Sequence, residues 1–173
     1  MTKKFNLLPL LTIGGLLFFT TETTAARDEI AIRSICVITK EASAGTHQHL
    51  IVRGIFVVGP ETSIIYENEC PVSDSLVWVE FKLNPAHLKS APVTKFDRLI
   101  AKDGRAAVEF EGDFYGPPTP DPDVPEVIQR NFELGWGHLS QYRTQMIVSR
   151  IRATTEVPAS LPYPLIFGDQ HAH

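Results

Sequence analysis

The chain has 173 residues, with 16 Lys and Arg against 20 Asp and Glu and a formal net charge of −4. This mildly acidic balance makes a poor general phosphate binder, and no general nucleic-acid binding is expected, because sequence-independent nucleic-acid affinity comes from Lys and Arg. The 2 cysteines cannot by themselves close a structural zinc site, which takes four ligands.

The first segment reads as an export signal over residues 1–26. Lys3 and Lys4 precede an apolar run from Leu7 to Phe19, and a polar stretch ends in Thr23-Thr-Ala-Ala26. A charged start, a short apolar core and small residues before a break are the three parts of a signal peptide. The run is shorter than the ~20 residues of a membrane span. No cysteine follows the small residues, as a lipoprotein anchor needs. The mature chain, starting near Arg27, is therefore expected to be periplasmic or secreted, without a membrane span. Loss of Lys3, Lys4 and Glu22 takes its net charge from −4 to −5. In an oxidising compartment Cys36 and Cys70 are expected to form one disulfide; no C-x-x-C spacing suggests a reactive pair.

Ser34 to Ala42 reads as a short helix with Ser34 as cap and with Ile35, Ile38 and Ala42 on one face. Its β-branched content leaves a strand as the alternative. His49 to Val58 is a strand, with Gly54 marking a bulge or sharp bend. Thr62 to Glu67 returns, and Leu76 to Lys82 is a third strand with Val77, Val79 and Phe81 on one face. Asn84 can cap a helical stretch from Pro85, which Pro92 interrupts before a second piece over about Thr94 to Ala101. That piece turns Phe96, Leu99 and Ile100 inward. Ala106 to Tyr115 shows the clearest alternation, with Val108, Phe110, Gly112 and Phe114 inside and Glu109, Glu111 and Asp113 toward water. Residues 116–134 form a proline-rich insertion, extended at first and with a helical turn near Val127 to Phe132. Thr144 to Ile151 is the last strand, and residues 155–173 read as a flexible tail.

Three strands, a helix and two strands is the order of the OB-fold, a five-stranded Greek-key barrel. The expected fold is thus mainly β: a small five-stranded OB-like barrel over residues 27–154 with one or two short helices, a β-sandwich being the rival. The set Ser34-x-Cys36, Val52-Arg-Gly54, Cys70-Pro71, Trp78-Val-Glu-Phe81 and Gly137-His-Leu139 with Tyr142-Arg143 resembles a group of small exported bacterial proteins with OB-like barrels. The resemblance covers about Ser34 to Ile151. It implies the fold, export and the disulfide, and it supplies no activity. The proline-rich insertion and tail depart from the group.

Trp136, His138, Tyr142 and Arg143 precede the last strand, where an OB barrel places part of its ligand surface. Aromatic rings there can stack on sugars or bases, and an arginine can hold a carboxylate or phosphate. A structural role, in which these residues lock the loop, is the favoured alternative. His47 and His49 point the same way on a strand and could share a metal, although two imidazoles leave the site incomplete. His171 and His173 repeat that spacing in the tail. Glu109, Glu111 and Asp113 could do acid–base work, yet solvated alternation explains them better. Lys82, Lys89, Lys95, Arg98, Lys102 and Arg105 form either a solvated face or a patch for an acidic partner. Nucleophile elbows, zincin helices, phosphate loops and dinucleotide fingerprints are absent.

The function expected is an exported binding or structural module without a cofactor, acting on an unidentified ligand or envelope protein. A hydrolase using His138 with a nearby carboxylate, or a metal-binding protein using His47 and His49, are the alternatives.

Overall fold

The computed structural model describes residues 30–71, 75–120, 122–123 and 135–161, and of His138 only the backbone. The expected export signal over residues 1–26, the helical turn expected near Val127 and the His171–His173 pair lie outside these residues. The elements are β1 (Ile32–Arg33), α1 (Ile35–Glu41), β2 (His47–Gly59), β3 (Thr62–Tyr66), β4 (Val77–Phe81), α2 (Ala91–Asp103), β5 (Arg105–Tyr115) and β6 (Thr144–Thr155). Short 3-10 turns cover Pro85–His87 and His138–Ser140.

The chain is mainly β, and five strands pair in a ring. β2 runs antiparallel to β3 on one side and to β5 on the other. β3 meets β4 at only two positions, Ile64↔Trp78 and Ile65↔Val77. β4 lies parallel to β6, and β6 antiparallel to β5, which returns the ladder to β2. β1 adds a sixth strand, parallel to β2 at Ile51 and Val52. This short addition was not expected: two residues are too few to show a period.

β5 explains where the core sits. Ala106, Val108, Phe110, Gly112 and Phe114 are all buried, and each intervening residue is half-buried. They meet Leu50, Val52 and Phe56 of β2, Val77 and Val79 of β4, and Met146, Val148 and Ile151 of β6. α1 supplies Ile35 and Ile38, and α2 supplies Val93, Phe96 and Leu99. Phe56, Phe81, Phe96 and Phe110 stack edge-on or tilted, with centroids 5.4–5.9 Å apart. Phe81 still leaves 40 % of its surface exposed, so it does not follow Val77 and Val79 fully inward.

Three sequence expectations need correction. Pro92 does not interrupt a helix; it sits in the first turn of α2, where its missing N–H would have no partner anyway. Gly54 makes no bulge, because the ladder Arg53↔Glu109, Gly54↔Val108, Ile55↔Ala107 is unbroken. Its job is close approach: a Cβ there would stand 2.6 Å from the Tyr66 carbonyl oxygen and 2.8 Å from Ile35 Cδ1. The register breaks fall instead between β5 and β6. Ser34 occupies the cap position of α1, yet its hydroxyl makes no capping bond. It donates to Glu67 Oε2 at 2.6 Å, and the same oxygen accepts the Cys36 amide at 3.3 Å. A carboxylate brought from the end of β3 thus serves the first turn.

The Cys36–Cys70 disulfide is formed, with Cα atoms 5.6 Å apart. It ties α1 to the loop after β3, beside Glu67.

A second apolar cluster lies outside the ring. Ile55, Val57, Ile64, Tyr66 and Tyr142 are buried there, with Leu76, Trp78, Trp136, Val157 and Leu161 packed around them. The segment after β6 contributes directly, since the Leu161 carbonyl also accepts from Arg105 Nη1 at 2.9 Å. Val157 and Leu161 therefore pack on the outside of the ring, while residues 162–173 lie outside the described part.

Candidate functional site

The loop from Gly135 to Arg143 folds back on itself through one isolated bridge. The Trp136 amide donates to the Tyr142 carbonyl at 2.7 Å, and the Tyr142 amide to the Trp136 carbonyl at 3.2 Å. Between them Gly137, Leu139 and Ser140 all take positive φ, at 73°, 55° and 56°. A left-handed conformation costs a non-glycine residue about 1–2 kcal/mol. Gly137 must lack a side chain, because a Cβ would fall on the Trp78 ring.

Tyr142 is buried, with 5 % of its surface exposed, and its ring lies 5.2 Å from that of Trp78. Burial pushes the Tyr142 hydroxyl above its ordinary pKa, and a hydrogen bond with Thr62 opposes the shift. The folded chain therefore holds this proton more tightly than the unfolded chain. Stability from this source is complete below the free phenol value of about 10 and is lost as pH rises through the folded value. Wild type is expected to lose more stability than Tyr142→Phe between about pH 8 and about pH 11. Urea midpoints of the two proteins check this; equal losses would place the titration elsewhere.

Trp136 donates its indole N–H to the Gly116 carbonyl at 2.9 Å, which pins the loop to the end of β5. Its ring is 6.0 Å from Tyr115, and Tyr115 stacks flat on His47 at 4.6 Å. Arg143 is exposed, with one long bond from Nη2 to the Ala42 carbonyl at 3.5 Å. Leu139 is 75 % exposed, the highest of the large apolar side chains among the described residues.

Trp136 and Tyr142 are thus brought to one loop with Arg143, and both also hold that loop in place. The His138 imidazole, on which the hydrolase alternative turns, lies outside the described residues. Sequence reasoning missed Leu139, Tyr115 and Trp78. The Gly-x-Leu spacing gives no sign of left-handed backbone at a leucine.

On the outer face of β2, β5 and β6, charged groups pair across strands. Arg53 reaches Glu109 at 2.9 Å, and Arg152 reaches Glu109 at 3.6 Å and Glu111 at 3.2 Å. Glu109 and Glu111 are consequently only 16 % and 15 % exposed, rather than open to water as their alternation suggests. A polar, open cavity of about 640 Å³ lies at the end of α2, lined by Lys102, Arg105, Glu156 and Pro158 among others. Lys102 and Arg105 of the basic stretch line it, whereas Trp136, Tyr142, Arg143, His47 and His49 do not.

No family model, curated protein or solved structure matches this chain. The case for function rests on the geometry alone.

Proposed function

We propose that the chain is an exported OB-type binding module whose ligand lies on the rim formed by the Gly135–Arg143 loop and the end of β5. Leu139 carries this reading. A leucine held left-handed and 75 % exposed accepts a backbone cost without the compensation of burial. Such strain persists where the surroundings impose it, and it collects at ligand clamps. The same loop carries an exposed arginine, Arg143, and the half-buried Trp136, whose ring lies 6.0 Å from that of half-buried Tyr115. Rings stack on sugars or bases, and the guanidinium takes a carboxylate or phosphate. The export signal over residues 1–26 and a periplasmic or secreted location belong to the same proposal. The disulfide supports it, since such bonds persist in oxidising compartments. No helix among the described residues is long and apolar enough to cross a membrane.

A thermal-shift panel on the oxidised protein tests the reading with neutral and acidic oligosaccharides, phospholipids and single-stranded DNA. A ligand at a hundred times its Kd stabilises by about 2.7 kcal/mol, a shift of several degrees. Leu139→Ser with Arg143→Ala is expected to remove that shift while leaving the melting temperature of the free protein within about 2 °C. Trp136→Phe is expected to lower the melting temperature as well, through loss of its bond to Gly116. A shift that survives the Leu139 and Arg143 changes would move the ligand off this rim. No shift with any class would favour an envelope protein as partner.

A further inference from the structure

Two imidazoles on the outer face of β2 converge on one carboxylate. His47 and His49 are alternate strand residues and point from the same face. The ladder places Asp113 across from His49 and Tyr115 across from His47. Asp113 Oδ1 lies 2.9 Å from His49 Nδ1 and 3.7 Å from His47 Nε2. The other nitrogen of His49, Nε2, is 3.7 Å from Glu111 Oε1.

We propose that His47, His49 and Asp113 bind one borderline divalent transition-metal ion, with Glu111 as the carboxylate behind His49. A tetrahedral zinc ion with bonds of about 2.0–2.1 Å sets neighbouring ligand atoms about 3.3 Å apart. The two separations at Asp113 Oδ1 bracket that spacing, whereas the imidazole nitrogens of His47 and His49 stand more than 4.8 Å apart, so one ring has to turn before both can reach one ion. Imidazole with carboxylate suits zinc, copper or nickel, whereas calcium and magnesium take oxygen alone. A ligating histidine commonly gives its second N–H to a carboxylate, which fixes the tautomer. Glu111 Oε1, 3.7 Å from His49 Nε2, would have to close in by about 0.7 Å to accept that bond, and Arg152 Nη1 holds its other oxygen at 3.2 Å. Asp113 supplies the third ligand that the histidine pair lacked in the sequence.

The ion-free arrangement is open. Among the described residues, the group of three such ligand atoms lying within 4.8 Å of one another is Cys36, Glu67 and Cys70, and both sulfurs there are joined in the disulfide. His47 and His49 therefore reach Asp113 from different sides, and the ion draws the exposed His47 inward. His47 lies flat on Tyr115, which neighbours Trp136. Binding thus peels one ring from the aromatic row and changes its emission.

The test is calorimetric titration of the oxidised protein with zinc(II), followed in parallel by tyrosine and tryptophan fluorescence. One ion per chain is expected. His49→Gln and Asp113→Asn should each weaken binding at least tenfold, and Glu111→Gln about tenfold. His47→Gln should weaken binding and remove the fluorescence change. His171→Gln with His173→Gln should leave affinity unaltered. Circular dichroism checks that each variant is folded; the side chains of His47, His49 and Asp113 are exposed, and Glu111→Gln keeps the shape of its side chain. Absence of zinc binding overturns the proposal. So does binding that survives His49→Gln or Asp113→Asn, or that vanishes when the tail histidines are replaced.

Discussion

Gly112→Ala is expected to cost about 3 kcal/mol or more, and to lower the melting temperature by on the order of 10 °C. The register between β5 and β6 shifts twice, between Glu109 and Phe110 and again between Glu111 and Gly112. Phe110 pairs with Ile151, Glu111 with Arg150 and Gly112 with Val148, so β6 carries Ser149 and Arg152 as extra residues. Such bulges bend and twist a strand, as closing a small ring requires. The Ser149 hydroxyl donates to the Glu111 carbonyl at 3.2 Å, and its own carbonyl accepts the Asn84 amide at 3.1 Å. The bend brings the Ile147 carbonyl against Gly112, so an added Cβ would fall on backbone atoms of Ile147 and Val148. Backbone cannot step aside as a side-chain tip can. Gly59→Ala is the control, because the nearest atom, Thr62 Cβ, is 3.7 Å from the added carbon. Denaturant unfolding of both variants checks the pair. A Gly112→Ala protein as stable as Gly59→Ala would mean that β6 does not press on β5 at this point.

The same strands show what the sequence made legible. Alternation along β5 is visible because one face is packed and the other is half-covered, and period two survives in the residue types. The inward assignments of Phe96 and Leu99 followed from helical spacing, and both are buried. Gly112 was assigned to the inner face correctly, but its reason was hidden. Its neighbour is a carbonyl from a strand over thirty residues away, and no local pattern records such an approach. The bulge was expected at Gly54 because a glycine inside a β-branched run signals one; there the glycine answers to Ile35 and Tyr66 instead.

The candidate site was legible in its residue types and not in its arrangement. The cluster of Trp136, Tyr142 and Arg143 announces itself by composition. That Tyr142 is buried under Trp78 depends on an outer apolar face of β2 and β3 at Ile55, Val57 and Ile64. Both faces of β2 are apolar in sequence, so strand periodicity alone does not say what covers this one. It is covered by Leu76 and Trp78 at β4, by Trp136 and Tyr142 of the Gly135–Arg143 loop, and by Val157 and Leu161. Likewise, the pairing of His49 with Asp113 is a matter of register across 64 residues, which neither segment contains by itself.

Removal of the Cys36–Cys70 disulfide is expected to cost ~3–4 kcal/mol at 25 °C, from the chain entropy of a loop of about 35 residues. That is a large part of the 5–15 kcal/mol typical of a whole domain. The folded state offers little resistance to losing the bond, since α1 is held separately. Ile35 and Ile38 are in the core, and Glu67 keeps its bonds to Ser34 and the Cys36 amide. The loss should therefore act mainly on the unfolded chain, which gains freedom when the loop opens. Two measurements separate this from damage to the native fold. Cys36→Ala with Cys70→Ala should match phosphine-reduced wild type in stability, and both should show a steeper dependence on urea, because a less constrained unfolded chain exposes more surface. The native circular dichroism should be preserved in each. A reduced protein that loses less than about 1 kcal/mol would show that packing of α1 already restricts the loop. A loss accompanied by altered native spectra would instead place the effect in the folded state, with the disulfide itself setting the position of Glu67 at the first turn of α1.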